Sequence, residues 1–156
     1  MTRPTLYLET TVPSYLAARR SRDLIVMANQ ELTHEWWENR RLGYRLVISS
    51  AVLEEIRQGD RRAAIARMGY VEKLEILPIR DEIEKIAQVY FEALKIPQKA
   101  FRDSLHLAVC SFYGITFLMT WNCVHLANAS NFEKLRTLNQ KMGLKGPTIC
   151  TPYELM

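Results

Sequence analysis

Four side chains with oxygen donors stand where an extended run gives way to a loop or a helix. Glu9 directly follows the β-type run Thr5-Leu6-Tyr7-Leu8. Glu54 and Glu55 lie in the first turns of a helical segment that follows a second run, Tyr44 to Ser49. Asp103 lies near the start of an apolar helical stretch, and Asn122 comes just after the run Phe117 to Trp121. In an open parallel sheet, ligands bind outside the carboxyl ends of the strands. Glu9, Glu55, Asp103 and Asn122 can therefore converge at one edge of such a sheet. Hard cations such as Mg2+ and Mn2+ take oxygen ligands of this kind and keep several waters. Such an ion activates water and neutralises charge on a scissile phosphate.

Each residue also has a plainer role. Glu9 suits the free N–H groups of a following helix start. Of the two adjacent glutamates, Glu55 sits beside the face bracketed by Val52 and Ile56, which makes Glu54 the poorer candidate. Asp103 falls among Leu105, Leu107 and Ala108, where a buried carboxylate needs a cation or a hydrogen-bond partner. Asn122 alone suits a turn.

The elements that must position these groups follow from periodicity. Polar residues 9–14 can open a helix after the first strand. Ile25, Ala28, Leu32 and Trp36 recur at helical spacing, which predicts a helix over 22–41 with Ser21 as its N-cap. After the second strand, Ser50 caps a helix ending at Gly59, and 60–73 reads as a further, basic helix. Glu75 to Ile79 is a third strand, and Pro78 suggests an edge position. Asp81 opens a helix with Ile83, Ala87, Tyr90 and Leu94 on one face. Pro97 breaks the chain before a helix over 100–113. Residues 117–121 form a fourth strand. A last helix over 131–142 has Phe132, Leu135, Leu138 and Met142 inward, and residues 148–151 form a fifth strand. Strands alternating with helices predict a single α/β domain over 1–156, with a central, mostly parallel sheet of about five strands covered on both faces.

Composition and missing motifs narrow the function. The chain has 156 residues, 48% of them apolar, and 21 Lys and Arg against 17 Asp and Glu, a net charge of +4. That excess is too mild to identify an anionic partner unaided. Cys110, Cys123 and Cys150 form neither a C-x-x-C nor an even framework, which fits reduced thiols in a cytoplasmic protein. No run approaches the roughly 18 apolar residues that span a bilayer, so no membrane role is expected. No Gly-rich phosphate loop follows the first strand, and no G-x-S-x-G elbow is present. His34, His106 and His125 are scattered and read as neutral surface or core histidines rather than zinc ligands.

The stretches around the four oxygen donors carry a resemblance. Leu6-Tyr7-Leu8-Glu9-Thr10-Thr11-Val12-Pro13-Ser14-Tyr15 resembles the opening of PIN domains, and Ile48 to Ile56 resembles their second motif. Asp103-Ser104-Leu105-His106-Leu107-Ala108 is similar to the third motif and is the most specific of the set. Leu118 to Asn128 resembles the fourth, and Thr151 to Leu155 is similar to PIN C-termini. The resemblance covers essentially the whole chain in the right order. It implies a PIN-like three-layer α/β/α fold and a Mg2+- or Mn2+-dependent ribonuclease that leaves a 5′-phosphate and a 3′-hydroxyl. Many relatives are VapC-type toxins inhibited by a cognate antitoxin, and most form homodimers. It also implies that Glu9, Glu55, Asp103 and Asn122 form the acidic quartet. Two positions depart from the pattern: Glu9 stands where Asp is usual, and Asn122 stands where Asp is common. Asn keeps an acceptor oxygen but loses the charge, which favours one metal, or a second completed by substrate phosphates, over two tightly bound metals. Thr120 is a candidate to orient a water or ligand. Arg19, Arg20, Arg22, Arg57, Arg61, Arg62 and Arg102 are candidates to bind the RNA backbone, and Trp36, Trp37 and Tyr44 could form an aromatic interface. The rival readings are a catalytically weakened RNA- or protein-binding module and a response-regulator-like signalling domain. The latter is disfavoured because no Asp follows the third strand at the phosphorylation position.

Overall fold

Five strands, all parallel, form one sheet in the order β3-β2-β1-β4-β5. They are β1 (Thr5–Leu8), β2 (Arg45–Ser49), β3 (Glu75–Leu77), β4 (Phe117–Met119) and β5 (Thr148–Cys150). This is a computed structural model, and it describes residues 2–156. Among the described residues, seven α-helices connect the strands: α1 (Thr11–Ala17), α2 (Leu24–Asn39), α3 (Ser50–Ile56), α4 (Arg61–Val71), α5 (Asp81–Ala93), α6 (Phe101–Tyr113) and α7 (Ala129–Met142). α1 packs with α2 and α4, whereas α5 packs with α6 and α7. These two groups form the outer layers of an α/β/α sandwich.

The strand order explains the apolar runs. β1 is central and pairs with β2 and β4, with Tyr7 opposite both Val47 and Leu118. A strand covered on both faces cannot alternate polar and apolar residues. Leu6, Tyr7 and Leu8 are accordingly all buried, as are Val47, Ile48, Leu118 and Met119. β3 is an edge strand, as Pro78 suggests, but it stops before that proline instead of running on to Ile79, since proline has no N–H to continue the ladder.

Helix boundaries differ from expectation where a side chain finds a better partner. Asp23, not Ser21, caps α2, accepting from the N–H groups of Ile25 and Val26 at 3.0 Å each. Ser21 instead accepts the N–H of Asp23. The buried stripe of α2 is also rotated from the expected one: Leu24 and Ile25 are 74% and 75% exposed, and the helix buries Gln30, Thr33 and Trp36. The Gln30 amide donates to the Arg19 carbonyl and accepts the N–H of Ser21. Thr33 accepts the indole N–H of Trp121. Polar residues are buried here because the preceding loop and Trp121 satisfy them. In α7, Leu135 is buried as expected, but Phe132 is largely exposed. Trp36 is wholly buried, and Trp37 and Tyr44 pack against the core, so these aromatics serve packing.

Candidate metal-binding site

β1 and β4 lie side by side, and the connections leaving them run to opposite faces of the sheet. Such a switch point opens a crevice at the carboxyl ends of the two strands. Glu9 stands at the end of β1, and its N–H donates to the Met119 carbonyl at 3.1 Å. The ladder thus runs one residue beyond the strand and fixes where the Glu9 side chain starts. Thr120 stands at the same level, one residue beyond β4.

Glu9 is only 3% exposed, yet one of its oxygens is heavily used. Oε1 accepts from the Thr11 N–H at 3.2 Å, the Thr11 hydroxyl at 2.5 Å and the Thr120 hydroxyl at 2.6 Å. The expected helix-start role of Glu9 is therefore real, and it coexists with a place in the crevice. Thr120, a candidate to orient a water, directs its hydroxyl to Glu9 and accepts the N–H of Asn122 at 2.9 Å.

α3 begins directly after β2, which aims its inner face at the same crevice. Glu55 points inward, and Oε1 accepts from Thr10 at 2.9 Å and from His106 Nε2 at 2.6 Å. Its neighbour Glu54 points outward and pairs with Arg102 at 2.9 Å. The choice between the two glutamates made from flanking apolar residues thus agrees with the geometry.

α6 supplies two residues from one face. Asp103 is 8% exposed and receives the partner its apolar surroundings demand: the Asn122 amide donates to Oδ2 at 3.0 Å. The other end of that amide, Oδ1, accepts the His125 N–H at 3.1 Å. Asn122 therefore joins the site through its nitrogen, as a clamp on Asp103.

His106, one helical turn after Asp103, is wholly buried. Nε2 faces Glu55, and Nδ1 lies 2.6 Å from the Tyr7 hydroxyl, which in turn lies 2.7 Å from Ser49 Oγ. Carboxylate oxygens of Glu9 and Glu55 and a ring nitrogen of His106 all lie within 4.8 Å of one another. Sequence reasoning set His106 aside with the scattered histidines. The overlooked signal is its spacing of three from Asp103, which puts both side chains on one helix face.

The electrostatics are those of a site short of positive charge. Burial pushes the Glu9 carboxyl above its ordinary value, although His106, Thr11 and Thr120 pull the other way. Burial likewise raises Asp103 against the opposing influence of His106 and Asn122. Burial also pushes on Glu55, but its hydrogen bond to His106 and the charge there more than offset it and leave the carboxyl lowered. Desolvation pushes the His106 imidazole down, and the Glu55 hydrogen bond with the charges of Glu55, Glu9 and Asp103 outweighs it, holding the imidazole above its ordinary value.

The donor set fits a hard divalent cation. Among the described residues nothing donates to Glu9 Oε2, Glu55 Oε2 or Asp103 Oδ1, and none of these oxygens is sealed from solvent. Each carboxylate is anchored through one oxygen and leaves the other open. Two oxygens on one Mg2+ at about 2.1 Å stand roughly 3–4 Å apart; carboxylate oxygens of Glu9 and Glu55 lie within 4.8 Å of each other, and Asp103 stands outside that closest group. The proposed phosphate-binding arginines are dispersed: Arg102 is paired with Glu54, while Arg19, Arg20, Arg22, Arg57, Arg61 and Arg62 are exposed and unpaired among the described residues.

The fold and site define a doubly wound parallel α/β protein with a carboxylate cluster at its switch point. The PIN domain model matches residues 7–122, from within β1 to the last of the four site residues, and the chain belongs to the PIN domain family. Solved structures that share the fold include two toxin–antitoxin proteins. One is VapC20 of Mycobacterium tuberculosis, a sarcin–ricin-loop-cleaving toxin, with a TM-score of 0.61 and 16% identity over 78% of this chain and 92% of that one. The other is a chain of VapBC2 from Rickettsia felis, bound to a DNA fragment from its promoter, with a TM-score of 0.54 and 16% identity over 94% of this chain and 98% of that one. No curated protein sequence matches the chain. Among the described residues, no helix is long and apolar enough to cross a membrane.

Proposed function

We propose that this protein is a divalent-metal-dependent endoribonuclease and the toxin of a toxin–antitoxin pair. One observation carries the reading: in a PIN-family chain, Glu9, Glu55 and Asp103 each present one unpartnered oxygen to one crevice at the sheet's switch point. Glu9, Glu55 and Asp103 would hold one Mg2+ or Mn2+, and Asn122 would hold Asp103 in place. When bound, such an ion lowers the pKa of water and neutralises charge on a phosphate. Thr11 and Thr120 fix the Glu9 carboxylate, and Thr10 and His106 fix that of Glu55. The exposed arginines would meet the RNA backbone, so binding weakens steeply with salt.

The likeness to VapC20 and to a chain of VapBC2 supports an RNA substrate and a cognate antitoxin. An arginine from that partner suits the crevice, where paired guanidinium–carboxylate bonds could form. The exposed Leu24 and Ile25 at the start of α2 offer an apolar surface for a protein partner, including a second copy of the chain.

The test is cleavage of labelled single-stranded RNA with Mn2+, Mg2+ or EDTA, wild type beside Asp103→Ala. Cleavage that needs metal and disappears in the variant supports the reading; wild-type cleavage by the variant overturns the site. A second reading, a weakened nuclease kept as a binding module, is favoured by Asn122, which adds no charge and directs its oxygen to a backbone N–H. A large gain of activity in the double variant Glu9→Asp, Asn122→Asp would establish it.

A further inference from the structure

His106 lies close enough to Glu9 and Glu55 to pass for a metal ligand. Its hydrogen bonds say otherwise. An ionised carboxylate only accepts, so the ring must carry its proton on Nε2 to meet Glu55 Oε1 at 2.6 Å. That nitrogen then has no lone pair for a metal. The other nitrogen, Nδ1, is turned away into the core, 2.6 Å from the Tyr7 hydroxyl. Tyr7 is wholly buried on the central strand, and Ser49, at the end of β2, holds its hydroxyl from the other side at 2.7 Å.

We infer that Ser49, Tyr7 and His106 form a buried positioning relay that holds one oxygen of Glu55 and thereby aims the other at the crevice. The inference rests on the metal-dependent reading above and goes beyond it in assigning roles to three residues outside the acidic quartet. The relay ties β2, β1 and α6 to the α3 carboxylate, so three separate elements set the direction of one ligand. With Oε1 held by His106 and Thr10, Glu55 can offer a metal one oxygen and not two. Outer partners that orient a ligand in this way typically alter metal affinity 10–100-fold when removed.

Two substitutions separate positioning from ligation and from simple packing. In His106→Gln the side-chain amide reaches the place of Nε2 and can still donate to Glu55. In His106→Asn the amide occupies the place of Nδ1, facing Tyr7 and losing Glu55. Mn2+ affinity is measured by titration calorimetry on the full chain, with thermal melts in EDTA alongside. The expected result is a loss of about 10-fold or more in His106→Asn and retention within about 3-fold in His106→Gln. Equal binding by both variants and wild type overturns the relay, and an equal large loss in both makes the ring itself the ligand. If His106→Asn does not fold, Tyr7→Phe, which removes only the hydroxyl, takes its place. A weakened Mn2+ affinity supports the relay, and wild-type affinity overturns it. Absence of Mn2+ binding by wild type is a different failure: it removes the metal-dependent reading and this inference with it.

Discussion

Two buried polar clusters share α6, and they are built on opposite rules. In the crevice, Glu9, Glu55 and Asp103 are charged, crowded and each anchored through only one oxygen. Beneath α7, Tyr90, Ser111 and Asn139 form a neutral cluster. There the Tyr90 hydroxyl meets Ser111 Oγ at 2.8 Å and also bonds Asn139 Oδ1, joining α5, α6 and α7. The second cluster is what a fold does with polar groups it must bury: it pairs them. The first is left incomplete on its open side, and burial displaces two of its carboxyls upward. An arrangement that disfavours its own charges in the absence of a ligand marks a candidate functional site, and the neutral cluster is the internal comparison.

The widest expected gap between the two concerns the ligand. Mn2+ at 100 times its Kd should stabilise the wild type by about 2.7 kcal/mol. In Asp103→Ala, whose fold without metal should melt no lower than the wild type, that gain should vanish. A melt series with and without EDTA reads both. Tyr90→Phe should do the reverse, lowering stability by about 1–3 kcal/mol because buried Ser111 and Asn139 lose their partner. RNA cleavage and Mn2+ affinity should remain at wild-type levels; a fall in either would mean that the clusters are coupled.

A smaller effect should follow pH. The folded His106 titrates above its ordinary value of 6.5. Its contribution to stability is thus fully present below the unfolded value and is lost as pH rises through the folded one. Glu9 and Asp103, also raised, act in the same direction at lower pH, from about their unfolded values upward. Glu55 acts oppositely, losing its contribution only as pH falls through its lowered value. Melting in EDTA should therefore decline as pH rises above 6.5, and His106→Gln should flatten that limb. A wild-type melting curve that is level from pH 6 to 9 would count against a protonated His106. The least change belongs to Glu54→Ala, which removes an exposed pair with Arg102. It should cost less than ~0.5 kcal/mol and leave cleavage intact, in contrast to Glu55→Ala one residue on.

What the sequence discloses depends on how local the cause is. The strands and the placing of Glu9, Glu55 and Asp103 at strand ends or helix starts are legible because apolar runs and their breaks are local. The edge position of β3 is legible from Pro78 for the same reason. α2 misleads because Gln30 and Thr33 are buried by partners far along the chain, Trp121 among them. Periodicity assigns such residues to solvent. β4 is shorter than its apolar run since Thr120 turns to Glu9 and Trp121 leaves the sheet to reach Thr33. His106 was hidden by a pairing with Tyr7 that spans 99 positions, although its spacing from Asp103 was in plain view.

The central place of β1 has a consequence for the order in which the molecule comes into being. β1 and β4 are neighbours in the sheet, but β4 arrives about 110 residues after β1, from Leu8 to Phe117. At roughly 5–20 residues per second, a growing chain waits on the order of 5–20 s with one flank of its middle strand unpaired. Through that interval Glu9 lacks Thr120, and Asp103, made near its end, waits for Asn122. A nascent chain, or a fragment that stops short of β4, therefore holds two or three of the acids without the strand that brings them into register. The crevice is therefore complete only once the chain has been made through β4 and Asn122.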